Sequence, residues 1–447
     1  MLPLLTSVAA GLLFIAFVGG AIVSFFEREW RAAYLFLIFG VISPALFLIP
    51  LSLNAPIAEY IAGGLNILFY GSLLLSFVPF PRRMKYERIV PREKIDERDT
   101  MFSRNLLKPD SANFNDYYSK HPEKKPIDDK FRKNPGLLEQ GTLFYHPKIF
   151  NTAKANFNII ENNRPFVDGK ISEPQESVIP STTTAFLKKL ILKMGAHSVG
   201  VTKLKDYHLY SYRGRGHNYG TKVKNNHPYA IALTVEMDHT FMRNAPHALT
   251  VLESSRQYVR SGLIALQIAQ QIRNLGYSAR AHIDGEYQVV CPLVARDANL
   301  GEIGRMGLLM SPALGPRIRI AVITTSIPLI PDQRKEDKTV IDFCNICKKC
   351  ADTCPTKAIP FDEREEIDGV LRWKINQEAC FTYWTKAGTD CGKCMSVCPY
   401  SHPDNALHNI IRYGIKNSPL FRFLALKMDD FFYGRKPKPL KLPRWYR

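Results

Sequence analysis

The sequence predicts a membrane-anchored α/β protein that ends in a cysteine-rich module. Three features predict this fold class: three long apolar stretches near the N-terminus, alternating helix and strand patterns in the middle, and eight cysteines between Cys344 and Cys398. A chain of 447 residues is long enough for two or three folded units. We expect five segments: a membrane anchor over residues 1–80, a wrapping segment over 81–182, an α/β core over 183–338, a cysteine module over 339–405 and a C-terminal extension over 406–447.

The apolar stretches predict three transmembrane helices. Residues 4–26, 32–53 and 60–80 contain no Asp, Glu, Lys, Arg or His. Each is long enough to cross a hydrocarbon core of about 30 Å as a helix. A cleaved signal peptide explains the first stretch less well, because no basic segment precedes it and two further spans follow.

The formal net charge of +19 has its simplest explanation in the membrane rather than in nucleic acid, which we do not expect as a partner. Basic residues follow the third stretch directly: Arg82, Arg83, Lys85, Arg88, Arg92 and Lys94. The loop between the first two stretches contains Arg28 and Arg31, whereas residues 54–59 contain no basic residue. Because basic loops stay in the cytoplasm, we predict a multi-pass protein of the cytoplasmic membrane whose chain beyond residue 81 faces the cytoplasm.

The middle of the chain predicts an irregular segment followed by an α/β core. Residues 81–182 are polar, rich in Pro, Asn and Lys, and show no sustained period, which predicts an extended segment that wraps a core. Periodicity then predicts helices over residues 183–194 and 254–275, the second ending at Gly276. Strands are predicted over residues 230–236 and Ile318–Thr325.

Two cysteine runs predict a module like a bacterial ferredoxin. The first run is Cys344-x2-Cys347-x2-Cys350-x3-Cys354-Pro355, and the second is Cys380-x10-Cys391-x2-Cys394-x3-Cys398-Pro399. In such runs three close thiolates hold one 4Fe-4S cluster and the fourth holds the other cluster. We therefore predict two clusters, with the crossed ligand sets Cys344, Cys347, Cys350, Cys398 and Cys380, Cys391, Cys394, Cys354.

Zinc is the alternative for these cysteines, since four thiolates from paired Cys-x2-Cys hooks also bind it. Zinc does not need a third close cysteine in each run, nor does it explain the two Cys-Pro endings. The ninth cysteine, Cys291, lies between Val290 and Pro292, and we expect it to be a buried, unreactive thiol.

Beyond the cysteines, the sequence resembles the reductive dehalogenases, which are cobalamin-dependent enzymes that act on organohalides. The resemblance covers residues 95–415 or so. It rests on five stretches: DERDTMFSR at 96–104, DYY and HPE at 116–123, NLGEIGRMGLL at 299–309, GPRIR at 315–319, and GTDCG at 388–392. Typical respiratory members carry a twin-arginine export signal, whereas this chain begins with apolar spans.

The resemblance implies a nitroreductase-like α/β core around a corrinoid, covered by the dicluster module. Because the chain has no Asp-x-His-x-x-Gly motif, cobalt is expected base-off. The residues expected to line the pocket or contact the cofactor are His282, Asp284, Gly301, Glu302, Gly304, Arg305 and Gly307. The position of Asp284 is Asn in some members of the family.

The resemblance also implies the catalytic residues. Tyr258 matches the tyrosine that donates a proton in the family, and Arg317 matches its basic partner. Since tyrosine has a reference pKa near 10, a nearby cation that stabilises the phenolate favours proton donation. The expected partners are a small organohalide, the membrane and an unidentified electron donor.

Two other functions remain open from the sequence. A tRNA-modifying reductase similar to epoxyqueuosine reductase shares the cobalamin core and would account for the positive charge, although the membrane spans argue against it. A membrane-anchored electron carrier without catalysis would leave residues 183–338 unexplained.

Overall fold

The computed structural model describes residues 1–53, 55–77, 90–335 and 337–441 of the chain. Numbered in chain order, its helices are α1 (Leu2–Phe26), α2 (Trp30–Ser52), α3 (Pro56–Phe77), α4 (Met101–Asn105), α5 (Ala112–Lys120), α6 (Lys125–Arg132), α7 (Pro147–Asn162), α8 (Pro180–Lys193), α9 (His239–Met242), α10 (Ala248–Asn274), α11 (Cys291–Asp297), α12 (Lys338–Cys347), α13 (Lys349–Thr353), α14 (Gln377–Ala387), α15 (Lys393–Ser396), α16 (Ala406–Asn417) and α17 (Pro419–Phe432).

The strands are shorter and fall into three sheets. They are β1 (Ser198–Lys203), β2 (Tyr229–Glu236), β3 (Ala279–His282), β4 (Glu302–Ile303), β5 (Leu309–Met310), β6 (Ile318–Thr325), β7 (Glu365–Ile367) and β8 (Val370–Arg372). The chain separates into two compact units. The first contains Met1–Lys85 and His402–Lys438, and the second contains Tyr86–Ser401 and Pro439–Arg447.

The first unit is a bundle of the apolar helices α1, α2 and α3 with the C-terminal helices α16 and α17. The first three are long and apolar enough to cross a membrane, which confirms them as candidate spans. Within this unit, the rings of Phe36 on α2 and Phe432 on α17 stack with centroids 3.9 Å apart. Of the predicted basic flank, Arg82, Arg83, Lys85 and Arg88 lie outside the described residues, as do residues 78–80 of the third span.

The second unit is built on a four-stranded sheet in the order β1-β2-β6-β3, with every neighbouring pair antiparallel. Alternate residues of β2 belong to two hydrophobic cores on opposite faces of the sheet. Ile231, Leu233 and Val235 pack with α8 and α10. Ala230 and Ala232 pack with α11. Both faces of the sheet are therefore covered by helices, and the predicted α/β core is confirmed.

The long helix α10 crosses one face of the sheet and positions the candidate site. The sequence predicted it over residues 254–275, and it begins six residues earlier because Ala248 to Glu253 are buried and continue the helix. Leu275 follows as its C-cap, and Gly276 turns the chain with a φ of +85°. This end confirms the predicted role of Gly276, since glycine adopts positive φ without strain.

The prediction that residues 81–182 are extended throughout is wrong, because α4 to α7 form there. Local capping explains these helices better than periodicity does. The side chains of Thr100, Ser111 and His146 accept hydrogen bonds from the first turns of α4, α5 and α7. Tertiary packing completes α7, whose Ile149 and Phe150 are buried against α10. The predicted division into five domains stays a prediction.

Candidate active site and cluster ligands

The eight clustered cysteines lie on short helices and tight turns of the second unit. Cys344 and Cys347 lie on α12, Cys350 on α13, Cys380 on α14 and Cys394 on α15. Between these helices the chain turns through left-handed residues, with φ of 53° at Lys348 and 59° at Cys391. Such turns let thiols from successive short elements point toward a common centre.

Electrostatic interactions join thiols of the two runs, and the crossed ligand sets stay a prediction. Cys398, from the end of the second run, interacts electrostatically with Cys344, Cys347 and Cys350 of the first. Conversely, Cys354 of the first run interacts with Cys380, Cys391 and Cys394 of the second. None of these cysteines forms a disulfide within the part of the chain that is described.

Burial makes these thiols poor acids unless a metal binds them. It raises the pKa of Cys350 and of Cys391 to about 12 and that of Cys380 to about 11. Burial also raises the pKa values of Cys394 and Cys398 well above the usual range. Because ligands to iron are thiolates, the sites fit cationic clusters that compensate for the lost hydration.

The loop of residues 301–307 lies against the first cysteine run and strand β5. A Cβ atom on Gly301 would meet the carbonyl oxygen of Met310 at 2.1 Å, and one on Gly304 would lie 3.5 Å from Sγ of Cys344. A Cβ on Gly307 would meet Ile375 at 2.5 Å, and Glu302 binds Arg334 at 2.7 Å. These contacts support a role beside the first cluster; the predicted contact with a corrinoid stays a prediction.

Arg305, from the same loop, is fully buried. Its guanidinium donates to the main-chain oxygens of Cys344 at 3.0 Å and of Pro360 and Asp362 at 2.8 Å each. It also stacks on Trp373, with Cζ 4.6 Å from a ring centroid. The residue predicted to touch a cofactor is thus held next to a cluster ligand.

Tyr258 is a half-buried residue of α10 in the second unit. It interacts electrostatically with five other half-buried side chains, which are Arg215, Asp284, Tyr287, Arg319 and Asp390. Burial raises the pKa of Tyr258, and the positive charge of Arg319 opposes this rise. The predicted proton donor therefore has a cation beside it.

That cation is Arg319, the second residue of β6. Its Cζ atom lies 4.8 Å from the centroid of the Tyr258 ring. Its guanidinium also donates to Oδ2 of Asp390 at 2.9 Å and to the hydroxyl of Ser254, one helical turn before Tyr258. Burial raises the pKa of Asp390 despite this ion pair. Tyrosine, arginine and aspartate thus form one connected group next to the cluster ligand Cys391.

Arg317 does not belong to this group. It is buried, with a guanidinium that donates to the main-chain oxygen of Ser401 at 2.8 Å, to the carboxylate of Glu236 at 2.7 Å and to the main-chain oxygen of Met237. No contact with Tyr258 is recorded for it among the described residues. The arginine that lies beside the Tyr258 ring is Arg319, two residues later in the chain.

The two predicted pocket residues on and after β3 have different surroundings. His282 is fully buried, with Nδ1 accepting from the main-chain nitrogen of Gln288 at 3.1 Å and Nε2 lying 3.0 Å from the hydroxyl of Thr324. Burial lowers its pKa well below the usual value, so the ring is neutral. These hydrogen bonds attach His282 to neighbouring parts of the fold, whereas Asp284 interacts electrostatically with Tyr258, Arg215 and Tyr287.

Cys291 begins α11 as a buried thiol, and burial raises its pKa to about 12. Such a thiol is not ionised at neutral pH, which confirms the expected unreactive cysteine.

Four residues of the site were missed by sequence reasoning, namely Arg215, Tyr287, Arg319 and Asp390. A signal existed for Arg319, which interrupts an otherwise apolar strand with a charge that must find a buried partner. Asp390 stands directly before a cluster cysteine. Arg215 and Tyr287 come from loops, and no pattern in the sequence brings them to Tyr258.

The comparisons with known proteins agree with these features. A family model described as a 4Fe-4S dicluster domain matches residues 343–402. The tetrachloroethene reductive dehalogenase of Sulfurospirillum multivorans is 33% identical over 222 residues, which are 48% of this chain and 44% of that protein. A tetrachloroethene reductive dehalogenase of Desulfitobacterium hafniense is 32% identical over 213 residues, or 45% of this chain and 38% of that protein. These matches span less than half the length of each relative.

Weaker similarity extends to the epoxyqueuosine reductase of Lactococcus garvieae, 31% identical over 118 residues, which cover 25% of this chain and 32% of that protein.

Solved structures show the same fold. A reductive dehalogenase described as suggesting a mechanism for B12-dependent dehalogenation matches with a TM-score of 0.62 and 24% identity, over 79% of this chain and 49% of that chain. The catabolic reductive dehalogenase NpRdhA in complex with 3-bromo-4-hydroxybenzoic acid matches with a TM-score of 0.62 and 23% identity, over 86% of this chain and 55% of that chain. The chain is thus similar to the reductive dehalogenases in sequence, has their fold and contains a 4Fe-4S dicluster domain.

Proposed function

We propose that the chain is a membrane-anchored reductive dehalogenase that converts a small organohalide into the corresponding hydrocarbon and halide. The balanced reaction takes one carbon–halogen bond, two electrons and one proton, and yields one carbon–hydrogen bond and a halide ion. The eight clustered cysteines would hold two 4Fe-4S clusters that supply the electrons, and the chain would bind a corrinoid base-off. The electron donor is a separate molecule.

One observation carries this proposal: Tyr258, Arg319 and Asp390 form one connected group that ends directly before Cys391, a predicted cluster ligand. An electron carrier needs no buried tyrosine with a cation over its ring. A reductase that must deliver a proton to the carbon it reduces does need such a pair.

The state of His282 is compatible with a corrinoid bound without a protein histidine. Both ring nitrogens of His282 are hydrogen-bonded inside the fold. That histidine cannot also ligate cobalt, which agrees with base-off binding. When bound, the corrinoid supplies the reducing metal centre for cleavage of the carbon–halogen bond.

Residues of the chain supply the proton and set the acidity of the group that donates it. Tyr258 holds the proton on its phenol oxygen and gives it to the substrate carbon. Arg319 stabilises the phenolate that remains, because a guanidinium stays charged even in a partly dry site. Asp390 and Ser254 hold the guanidinium over the ring, and the charges of Asp284 and Arg215 also act on Tyr258.

The test is anaerobic purification of the full chain in detergent, expressed with cobalamin, followed by metal analysis and an assay with reduced viologen. We expect about eight irons and one cobalt per chain, with halide release from brominated and chlorinated aromatics. Iron without cobalt would instead support an electron carrier and would remove the proposed roles of Tyr258 and Arg319.

The crossed ligand sets make a separate prediction. Cys354→Ser, although in the first run, should remove the cluster held by the second run, and Cys398→Ser should remove the other. Each variant should keep about four irons, and low-temperature EPR of the reduced protein should show a different single cluster in each. Cys291→Ser is the matched control, expected to keep both signals. If Cys354→Ser and Cys344→Ser lose the same signal, the ligands are not crossed.

We also propose that the second unit faces the cytoplasm and that the first unit anchors it in the cytoplasmic membrane. The basic residues after the third span, of which Arg92 and Lys94 are described, support this orientation. Fusions of alkaline phosphatase and of green fluorescent protein after residue 90 should give fluorescence without phosphatase activity. Phosphatase activity at that position would reverse the orientation.

A further inference from the structure

We propose that Arg305 raises the reduction potential of the cluster held by Cys344, Cys347, Cys350 and Cys398 above that of the second cluster. Arg305 places a positive charge beside the cluster and acts through the cluster, not on the substrate. The inference rests on the proposed function only in requiring that both clusters assemble.

The first step is that Arg305 is a buried charge with neutral partners. Its hydrogen bonds reach three main-chain oxygens, and its flat face lies on Trp373. Glu363, an acidic residue that interacts electrostatically with Arg305, is exposed to solvent and forms no ion pair with it among the described residues. The guanidinium therefore keeps its full positive charge inside the protein.

The second step is that this charge is directed at the cysteines of the first run. Arg305 interacts electrostatically with Cys344, Cys347 and Cys350 together. Its Nη2 atom is buried and has no hydrogen-bond partner within the described residues. A buried N–H donor without a partner is costly, and a cluster sulfide or thiolate beside it would accept the hydrogen bond.

The third step concerns the buried charge beside the second set of cysteines. Asp390 interacts with Cys380 and Cys391. Asp390 is paired with Arg319 at 2.9 Å, so this ion pair carries no net charge. One cluster thus has an uncompensated cation beside it, whereas the other has a neutral pair.

Reduction adds one negative charge to a cluster. A fixed cation nearby stabilises the reduced form, and the effect is large in a site from which water is excluded. The first cluster should therefore accept electrons more readily than the second. The second cluster, whose predicted ligand Cys391 directly follows Asp390, is then the stronger reductant.

The test is an EPR-monitored redox titration of the anaerobically purified full chain. The Cys354→Ser and Cys398→Ser variants assign each potential to its cluster, and we expect the first cluster to have the higher one. Arg305→Gln should move only that potential to a more negative value, whereas Arg305→Lys should restore most of the shift because it keeps the charge.

Arg364→Gln is the matched control. Arg364 lies over the same Trp373 ring, with Cζ 5.8 Å from a ring centroid, but no contact with a cysteine is recorded for it among the described residues. Both potentials should stay unchanged in this variant.

Two results would overturn the inference: a first cluster with the lower potential in the otherwise native protein, or an Arg305→Gln protein that retains both clusters at unchanged potentials. The first measurement decides the matter even if Arg305→Gln does not fold. Loss of iron from the native chain would instead count against the proposed function itself.

Discussion

Tyr258→Phe is expected to lower the rate of halide release by about 10²- to 10⁴-fold, the usual contribution of a general acid. Phenylalanine fills the same space on α10 and keeps the ring beneath Arg319, so only the hydroxyl proton is lost. Iron and cobalt contents should not change. The measurement is single-turnover halide release from an excess of reduced enzyme.

The control for this variant is Tyr277→Phe. Tyr277 is a buried tyrosine whose hydroxyl donates to the main-chain oxygen of Glu176 at 2.8 Å, in the apolar core that includes α8 and α10. Loss of that hydrogen bond should cost about 0.5–1.5 kcal/mol of stability and leave turnover unchanged. A Tyr258→Phe enzyme with native turnover would mean that another group, or water, donates the proton.

The sequence predicted those parts of the molecule that depend on local pattern. The three apolar helices follow from their length and composition, and β2 and β6 follow from apolar runs of strand length. The cysteine grouping follows from spacing, because ligands two or three residues apart cannot spread over a large volume. In each case the decisive information lies within about ten to twenty residues of chain.

The sequence did not predict contacts that depend on which loops lie next to each other in the fold. The match to a family motif gave Arg317 as the basic partner, yet Arg317 precedes β6 and binds main-chain oxygens, whereas Arg319 within the strand reaches Tyr258. A short motif that contains both arginines does not show which of them reaches Tyr258. The sequence also did not reveal that Gly304 and Arg305 lie beside Cys344 of the first cysteine run, while the predicted contact of residues 301–307 with a corrinoid stays a prediction.

Arg319 and Arg317 can be separated by experiment, because their replacement should damage different properties. Arg319→Gln removes the cation that opposes the rise in the pKa of Tyr258. The phenol then becomes a weaker acid, so we expect turnover to fall by roughly 10-fold or more, since one pKa unit corresponds to about 1.4 kcal/mol. The alkaline limb of the pH profile, where Tyr258 loses its proton, should move to higher pH. Arg319→Lys keeps the charge and should recover part of the activity.

Arg317→Gln should instead destabilise the fold. The buried main-chain oxygens of Ser401 and Met237 lose their donor, at a cost of about 1–3 kcal/mol for each group left unsatisfied. We expect a lower temperature of thermal unfolding, measured by circular dichroism at a fixed scan rate. The pH profile of the folded fraction should keep its native position, because Arg317 does not contact Tyr258. The opposite result would be an Arg317→Gln enzyme with native stability and an alkaline limb of the pH profile at higher pH. That result would make Arg317 the basic partner of Tyr258 and give Arg319 a supporting role.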